Sequence, residues 1–378
     1  MALINFLTRV YFADRVLEDA LAEQMKILGI ARPLIVTDEA GATDEPLSRV
    51  VDALPPGCES SICYIKVPPT IDVTVPDLEL EQIRIASSDH DCDGFIGLGG
   101  EPVLRLIRRA VYQRNYRAYE GQARALQSSA FRKCAPLIAI PTTSACVGLQ
   151  PILAHEARGS RRMSAADCTM LPDAVLCDPT LTVEQDAHAT AAAGMDALTH
   201  CLEAYLGMTW NPPADGIALD GIRRAMGNLD QAVHDGSNLR ARREMMAAAL
   251  DAGLASQKGL GAVEALSCAL EAEVGHALQH GCLHAALLPV VLNFNAPAIC
   301  DRMGTLRSIL GAGRDLDVMQ SFTSLGASIH LPSNLAALKL DSAACQRVAK
   351  RAAEHPSTRT NPRHIKAADY AWMLEHVE

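Results

Sequence analysis

No Cys-x-x-Cys pair occurs among the 12 cysteines of this 378-residue chain, and they follow no regular spacing. That argues against a disulfide framework and for reduced thiols. The start, Met1 to Thr8, lacks a cleavable signal pattern, and no uninterrupted apolar run reaches the ~20 residues that a membrane-crossing helix needs. A soluble cytoplasmic protein without a membrane partner is therefore expected. Extended basic clusters are missing too: Arg161-Arg162 and the stretch from Arg240 to Arg243 are short, and the net charge is −10. Such a balance repels nucleic acid and anionic membranes on average, so no nucleic-acid partner is expected. There is no internal repeat and no low-complexity tract.

What is present is an ordinary globular composition, 49% hydrophobic and 21% charged, in a chain long enough for two domains. Short apolar runs bounded by turn residues recur at Pro33 to Asp38, Ile62 to Ile65, Gly94 to Gly100 and Pro136 to Pro141. Helix-length segments such as Leu17 to Leu28 and Pro102 to Tyr116 lie between them. This β-α-β rhythm predicts an α/β, doubly wound parallel sheet over residues 1–180. After Ala174 to Pro179 strand-like runs almost vanish, and residues 181–378 read as an all-α domain. The boundary falls near Asp178 to Glu184, where Asp-Pro-Thr-Leu-Thr supplies a break and a helix cap. Residues His355 to Arg363 read as a loop before a final helix.

The segment Gly194-Met195-Asp196-Ala197-Leu198-Thr199-His200 places a carboxylate and an imidazole four residues apart on an apolar helix. Side chains so spaced share one face and can hold one metal ion, although the same spacing also serves a simple hydrogen-bonded pair. About eighty residues on, His280-Gly281-Cys282-Leu283-His284 brings further imidazoles beside another hydrophobic helix.

These residues, with Leu171-Pro172-Asp173, Asp178-Pro179, Glu203-Ala204-Tyr205, Gly259-Leu260-Gly261-Ala262-Val263, Leu287-Leu288-Pro289 and Thr360-Asn361-Pro362-Arg363, occur in an order and spacing that resembles the iron-containing (group III) alcohol dehydrogenases. Those are relatives of glycerol dehydrogenase and dehydroquinate synthase, and the resemblance covers nearly the whole chain. It implies a nucleotide-binding α/β domain followed by a helical metal- and substrate-binding domain, a nicotinamide cofactor (NAD or NADP), a divalent iron or zinc ion, a small alcohol or aldehyde substrate, and a homodimer or larger homo-oligomer.

Carried over residue by residue, the resemblance implies metal ligands at Asp196, His200 and His280, with Glu264 standing where a fourth, histidine ligand is expected. A carboxylate can ligate iron or zinc, but two carboxylates with two imidazoles bring a divalent ion to formal neutrality and weaken it as a Lewis acid. His276 and His284, one helical turn either side of His280 on a continuous helix, are also placed to compensate for the replaced ligand, although Gly281 weakens the assumption of a continuous helix and packing or solvent exposure is the plainer reading of each. Four residues after Glu264, Cys268 replaces a family histidine near the reacting carbon, and the segment from Cys268 to His280 is about two residues longer than usual. Cys268 and His284 are thus the candidates for a catalytic role, with inert packing as the plainer reading of each.

The cofactor turns depart further. The expected Gly-Gly-Gly-Ser turn reads Gly97-Leu98-Gly99-Gly100-Glu101-Pro102, so Glu101 brings a carboxylate beside the phosphates, Pro102 lacks an N–H, and Arg105 is the nearest compensating charge. In the second turn Thr142 and Thr143 persist, while Ser144 to Leu149 has lost the family glycines and acid. Asp38, after a strand, suits a ribose hydroxyl and would repel the extra phosphate of NADP. Arg162 falls near a family lysine that approaches the cofactor.

Three readings follow: a metal-dependent oxidoreductase; a metal-independent enzyme like the maleylacetate reductases, with His276, His280 or His284 polarising the substrate; and a binding protein or related non-redox enzyme on the same scaffold.

Overall fold

A computed structural model describes residues 8–39, 45–66, 78–118, 135–145, 148–149, 171–274, 279–310 and 318–377. Its first half is built on six strands, β1 (Arg9–Phe12), β2 (Pro33–Asp38), β3 (Ser61–Ile65), β4 (Gly94–Gly99), β5 (Leu137–Pro141) and β6 (Ala174–Cys177). All pair in parallel in the order β1-β6-β5-β4-β2-β3. Central strands β2, β4, β5 and β6 are buried along nearly their whole length, as expected for a sheet covered on both faces. The crossovers use α1 (Val16–Leu28), α2 (Glu45–Asp52), α3 (Leu78–Asp89) and α4 (Glu101–Ala118). Two apolar layers result: Leu17, Leu21 and Met25 pack with Ile35, Ile96 and Ile138, while Leu34, Val36 and Phe95 pack with Ile83, Ile107 and Val111.

The edge strand β1 was not anticipated. Its four residues bury only partly and pair with β6, whose partner positions lie far along the chain, so no local pattern announces it.

Asp178 ends β6 and is fully buried. Its carboxylate accepts from the backbone N–H groups of Arg15 (2.9 Å) and Thr180 (3.0 Å) and from the Arg49 guanidinium (2.8 Å), starting a 3-10 turn over Pro179–Thr182. From there the chain is helical: α5 (Ala187–Leu206), α6 (Pro212–His234), α7 (Leu239–Ala255), α8 (Ala262–Val274), α9 (His280–Ile309), α10 (Val318–Ser328), α11 (Ser342–Glu354) and α12 (Ala367–Glu375). Side-chain oxygens of Asp186, Asn211, Asn238 and Asp341 cap α5, α6, α7 and α11 by accepting orphan N–H groups.

Helix α5 is the hub, buried from Thr190 to Leu206 apart from Ala193, and packed by α6, α7, α8 and α9. Helix α9 is long and apolar enough by length and composition to cross a membrane. Here most of that apolar stretch is buried against α5, α8 and α10, so it serves as a core helix. The described cysteines are all free thiols.

Candidate metal centre and cofactor turns

The centre forms where three helices meet. On α5, Asp196 and His200 stand one turn apart and face α9, the geometry their spacing predicts. Helix α9 begins at His280 and continues through Gly281, so Gly281 does not interrupt the turn that joins His280 to His284. Gly281 is instead a contact residue: a side-chain methyl there would overlap the carbonyl oxygen of Ala192 on α5. Because it has none, the two helices cross closely and present His280 and His284, again one turn apart, to Asp196 and His200.

Helix α8 is aligned by a different device. The buried Glu203 carboxylate on α5 accepts from the backbone N–H groups of Gly261 (2.9 Å), Val263 (2.7 Å) and Glu264 (3.2 Å), and Asn361 Oδ1 accepts from Ala262 (3.2 Å). An anion at a helix N-terminus satisfies several orphan donors at once. Burial pushes the Glu203 pKa up to about 7, opposed by these three donors. The clamp sets Glu264, in the first turn of α8, over the histidines.

One ligand atom each from Asp196, His200, His280 and His284 lie within 4.8 Å of one another. Asp196 Oδ2 is 3.5 Å from His200 Nδ1, and its Oδ1 is 3.3 Å from His284 Nδ1 and 3.8 Å from His280 Nε2. Glu264 Oε2 hydrogen-bonds Nε2 of His200 (2.9 Å) and of His280 (3.1 Å) and lies 3.6 Å from His284 Nε2. Two carboxylates thus flank three imidazoles whose ring centroids are 4.3 to 6.2 Å apart. Glu271 Oε1, on α8, takes the remaining nitrogen of His280, Nδ1, at 2.8 Å.

The electrostatics follow from this packing. At Glu264 burial opposes the carboxylate, yet its contacts with His200, His280 and His284 hold it well below the usual range. Burial opposes the imidazolium at His200 too, and is outweighed by the Asp196 charge and by Glu264, so its pKa is raised. His280 is raised well above its ordinary value, burial being overcome by Glu271 and Glu264. His284 goes the other way, lowered to about 4 by burial and by the charge of His280, and stays neutral.

A metal ion fits this set. His284 is fully buried, and neither of its ring nitrogens makes a hydrogen bond, an arrangement that costs about 1–3 kcal/mol per group unless something else engages them. Imidazole and carboxylate are the donors that iron and zinc accept. Cys268, a turn after Glu264, donates its S–H to Glu264 Oε1 at 3.5 Å and is half-buried, adjoining the centre without joining its four donors.

The cofactor turns lie along the carboxyl edge of the sheet. Strand order reverses between β2 and β4, and Asp38 and Gly99 end those two strands on either side of the reversal, where open α/β sheets bind ligands. Gly99 has φ of 151°, and a side chain there would press on Val103 of α4. Gly99 O accepts from Thr142 N (3.1 Å), and Thr143 packs beside Gly100, so both turns form one surface. Glu101 begins α4; its Oε2 accepts from Gly148 N (3.2 Å), and Oε1 stands 3.8 Å from Arg105 Nε. Burial raises its pKa, with Arg105 and Arg108 opposing and the Asp196 charge adding, which ties this turn electrostatically to the metal centre. Pro102 follows in the first turn of α4. Arg162 and His276 lie outside the described residues.

A parallel α/β sheet with a switch point between β2 and β4 is thus joined to a helical half that carries a buried imidazole–carboxylate cluster able to hold a metal ion, the architecture of a two-part enzyme. The chain matches the sequence profiles described as "Iron-containing alcohol dehydrogenase" over residues 8–179 and "Fe-containing alcohol dehydrogenase family, C-terminal" over residues 190–377. It is 32% identical to the 4-hydroxybutyrate dehydrogenase of Cupriavidus necator over 395 aligned residues, which cover 99% of each chain. Among solved structures, a 1,3-propanediol oxidoreductase superposes with a TM-score of 0.83 at 23% identity, covering 100% of both chains. The sulfoacetaldehyde reductase of Bifidobacterium kashiwanohense, solved with NAD+, superposes with a TM-score of 0.80 at 20% identity, covering 100% of this chain and 99% of that one. The two superpositions establish the fold alone. The chain belongs to the iron-containing alcohol dehydrogenase family and is an oxidoreductase.

Proposed function

We propose that the protein interconverts a small primary alcohol and its aldehyde with a nicotinamide cofactor and a divalent metal, residues 1–180 binding the nucleotide and residues 181–378 the metal and substrate. The observation that carries this reading is the convergence of Asp196, His200, His280 and His284, ligand atoms within 4.8 Å, with the Asp196 charge felt at Glu101 of the cofactor turn. A bound divalent ion, iron or zinc, would supply Lewis acidity toward the substrate oxygen, and nicotinamide would supply or accept the hydride.

The protein's own residues supply the rest. In oxidation the alcohol carbon gives up a hydride to NAD+ and the hydroxyl gives up a proton, leaving aldehyde, NADH and H+. Glu264 Oε2 hydrogen-bonds His280 Nε2, and His280 Nδ1 hydrogen-bonds Glu271 Oε1. Glu271 fixes the His280 ring through Nδ1, which leaves Nε2 for the ion, and both side chains stand about one-fifth exposed at the rim of the buried centre. Gly99, Gly100 and the N-terminus of α4 offer backbone N–H groups to the pyrophosphate, Thr142 and Thr143 offer hydroxyls, and Asp38 suits the ribose of NAD over the phosphate of NADP.

The similarity to a 4-hydroxybutyrate dehydrogenase supports testing an ω-hydroxy acid first, beside 1,3-propanediol and simple alcohols. Chelator-treated protein should lose NAD-dependent turnover, and readded Fe2+ or Zn2+ should restore it. Full turnover by metal-free protein would overturn the metal-dependent mechanism and support the second reading, a metal-independent reductase. That reading is favoured by one observation, the Glu264 carboxylate already pairing with His200 and His280.

A further inference from the structure

Histidine 284 is set apart from its neighbours by its hydrogen bonding. His200 and His280 both bond Glu264, and His280 also bonds Glu271. His284 is fully buried between Asp196 and Glu264, its Nδ1 3.3 Å from Asp196 Oδ1 and its Nε2 3.6 Å from Glu264 Oε2, neither contact having hydrogen-bond geometry. A neutral imidazole carries one N–H and one lone pair, so a site that leaves both unanswered is built for another partner. Its direction is set by the helix: α9 offers His280 and His284 as an i, i+4 pair opposite the i, i+4 pair Asp196 and His200 of α5. Two such pairs, facing across a close helix crossing, bring four donors around one point.

We infer that His284 is a metal ligand of this protein, so that the ion is held by Asp196, His200, His280 and His284, while Glu264 is a positioning residue. The inference rests on the metal-dependent reading above. Position 264, where the resemblance implies an imidazole, carries a carboxylate, and α9 supplies the third imidazole one turn beyond His280. Asp196 faces the Nδ1 edges of His200 and His284, whereas Glu264 faces their Nε2 edges; at His280 both carboxylates face Nε2, and Glu271 takes Nδ1 from behind. A carboxylate behind a ligating imidazole fixes the ring's orientation and raises its basicity. One carboxylate and three neutral imidazoles leave a divalent ion with net positive charge. The loss of Lewis acidity expected from Glu264 as a direct ligand is thereby avoided, with the second carboxylate balancing charge from outside the donor set.

The test uses the full chain, stripped with chelator and reloaded with Co2+. Bound cobalt is counted by elemental analysis, affinity is measured by chelator competition, and X-ray absorption on the loaded wild type counts the imidazoles. The expected result is one ion per chain with three imidazoles. His284→Ala and His284→Gln should each weaken binding about 100-fold or more, and Glu264→Gln only about tenfold, the scale typical of outer partners. Two imidazoles in the wild type, or wild-type affinity in both His284 variants, would overturn the assignment and leave the metal-dependent reading standing. A wild type that takes up no ion would overturn both. Metal-free melting curves establish whether the variants fold; if they do not, the imidazole count of the wild type decides.

Discussion

Gly281 on α9 lies directly against the carbonyl oxygen of Ala192 on α5, with no room between them for a methyl group. This contact sets the distance at which His280 and His284 meet Asp196 and His200. Gly281→Ala should therefore push α9 outward. Overpacking of a close helix crossing costs about 1–3 kcal/mol, and metal sites tolerate far smaller displacements than folds do. The expected outcome is a modestly lowered melting temperature with a disproportionate loss of bound metal, read by calorimetry and elemental analysis on the same sample. Unchanged metal content would show that the crossing does not govern the site.

The clamp of Glu203 on α8 makes a second prediction. Removing it strands three buried N–H groups at a helix start, so Glu203→Ala should destabilise the protein by about 3 kcal/mol, whereas Glu203→Gln, which keeps one acceptor oxygen, should cost less. Denaturant titration separates the two, and equal stability of both variants with the wild type would remove the clamp from the account.

Stability should also depend on pH through Asp251 on α7. Burial, with the nearby charge of Asp220, raises its pKa from an ordinary 3.8 to about 7, Arg224 opposing. The folded protein then binds more protons than the unfolded chain between those values. Its contribution is fully present below about pH 4 and is lost as pH rises to about 7, at no more than ~1.4 kcal/mol per pH unit. Asp251→Asn should flatten that part of the pH–stability curve. An unaltered curve would mean that Asp251 ionises alike in both states.

At the cofactor turn, Glu101 places a carboxylate at the N-terminus of α4, where a pyrophosphate is expected to bind, while accepting from Gly148. Glu101→Gln keeps an acceptor for Gly148 and removes the charge. NADH should then bind more tightly, by about fivefold to tenfold at low salt, with a smaller gain at high salt. Nicotinamide fluorescence measures both. Weaker binding in the variant would mean that Glu101 favours the cofactor by ordering the second turn.

The parts of the fold legible along the chain are those decided within a few residues. Buried strands at Pro33–Asp38 and Gly94–Gly99 are continuous apolar runs between turn residues, and the Asp196/His200 pair follows from helical spacing. The edge strand β1 escaped because its partner β6 is remote in sequence and its own burial is slight. Helix α3, which buries only Leu80, Ile83 and Ser87, carries a weak apolar stripe.

In the centre, residue types were legible and roles were not. His284 stands at the same i, i+4 spacing from His280 as His200 from Asp196, a signal that Gly281 between them weakens as long as only the sequence is considered. Local propensity counts glycine against a helix; the tertiary fold uses it for close approach. Glu203 and Glu271 carried no local mark of their tasks, since Glu203 acts on N–H groups about 60 positions away and Glu271 meets His280 only where α8 and α9 pack.

By itself, then, the sequence determined the α/β and helical halves, the family, and the donors available to an ion, because periodicity, turn chemistry and spacing are local properties. Which of those donors face one another was decided only by the α5–α9 crossing at Gly281 and the α5–α8 clamp at Glu203. Convergence of side chains from three helices is set by contacts between residues far apart in the chain, and it is these contacts that separate His284 from Glu264.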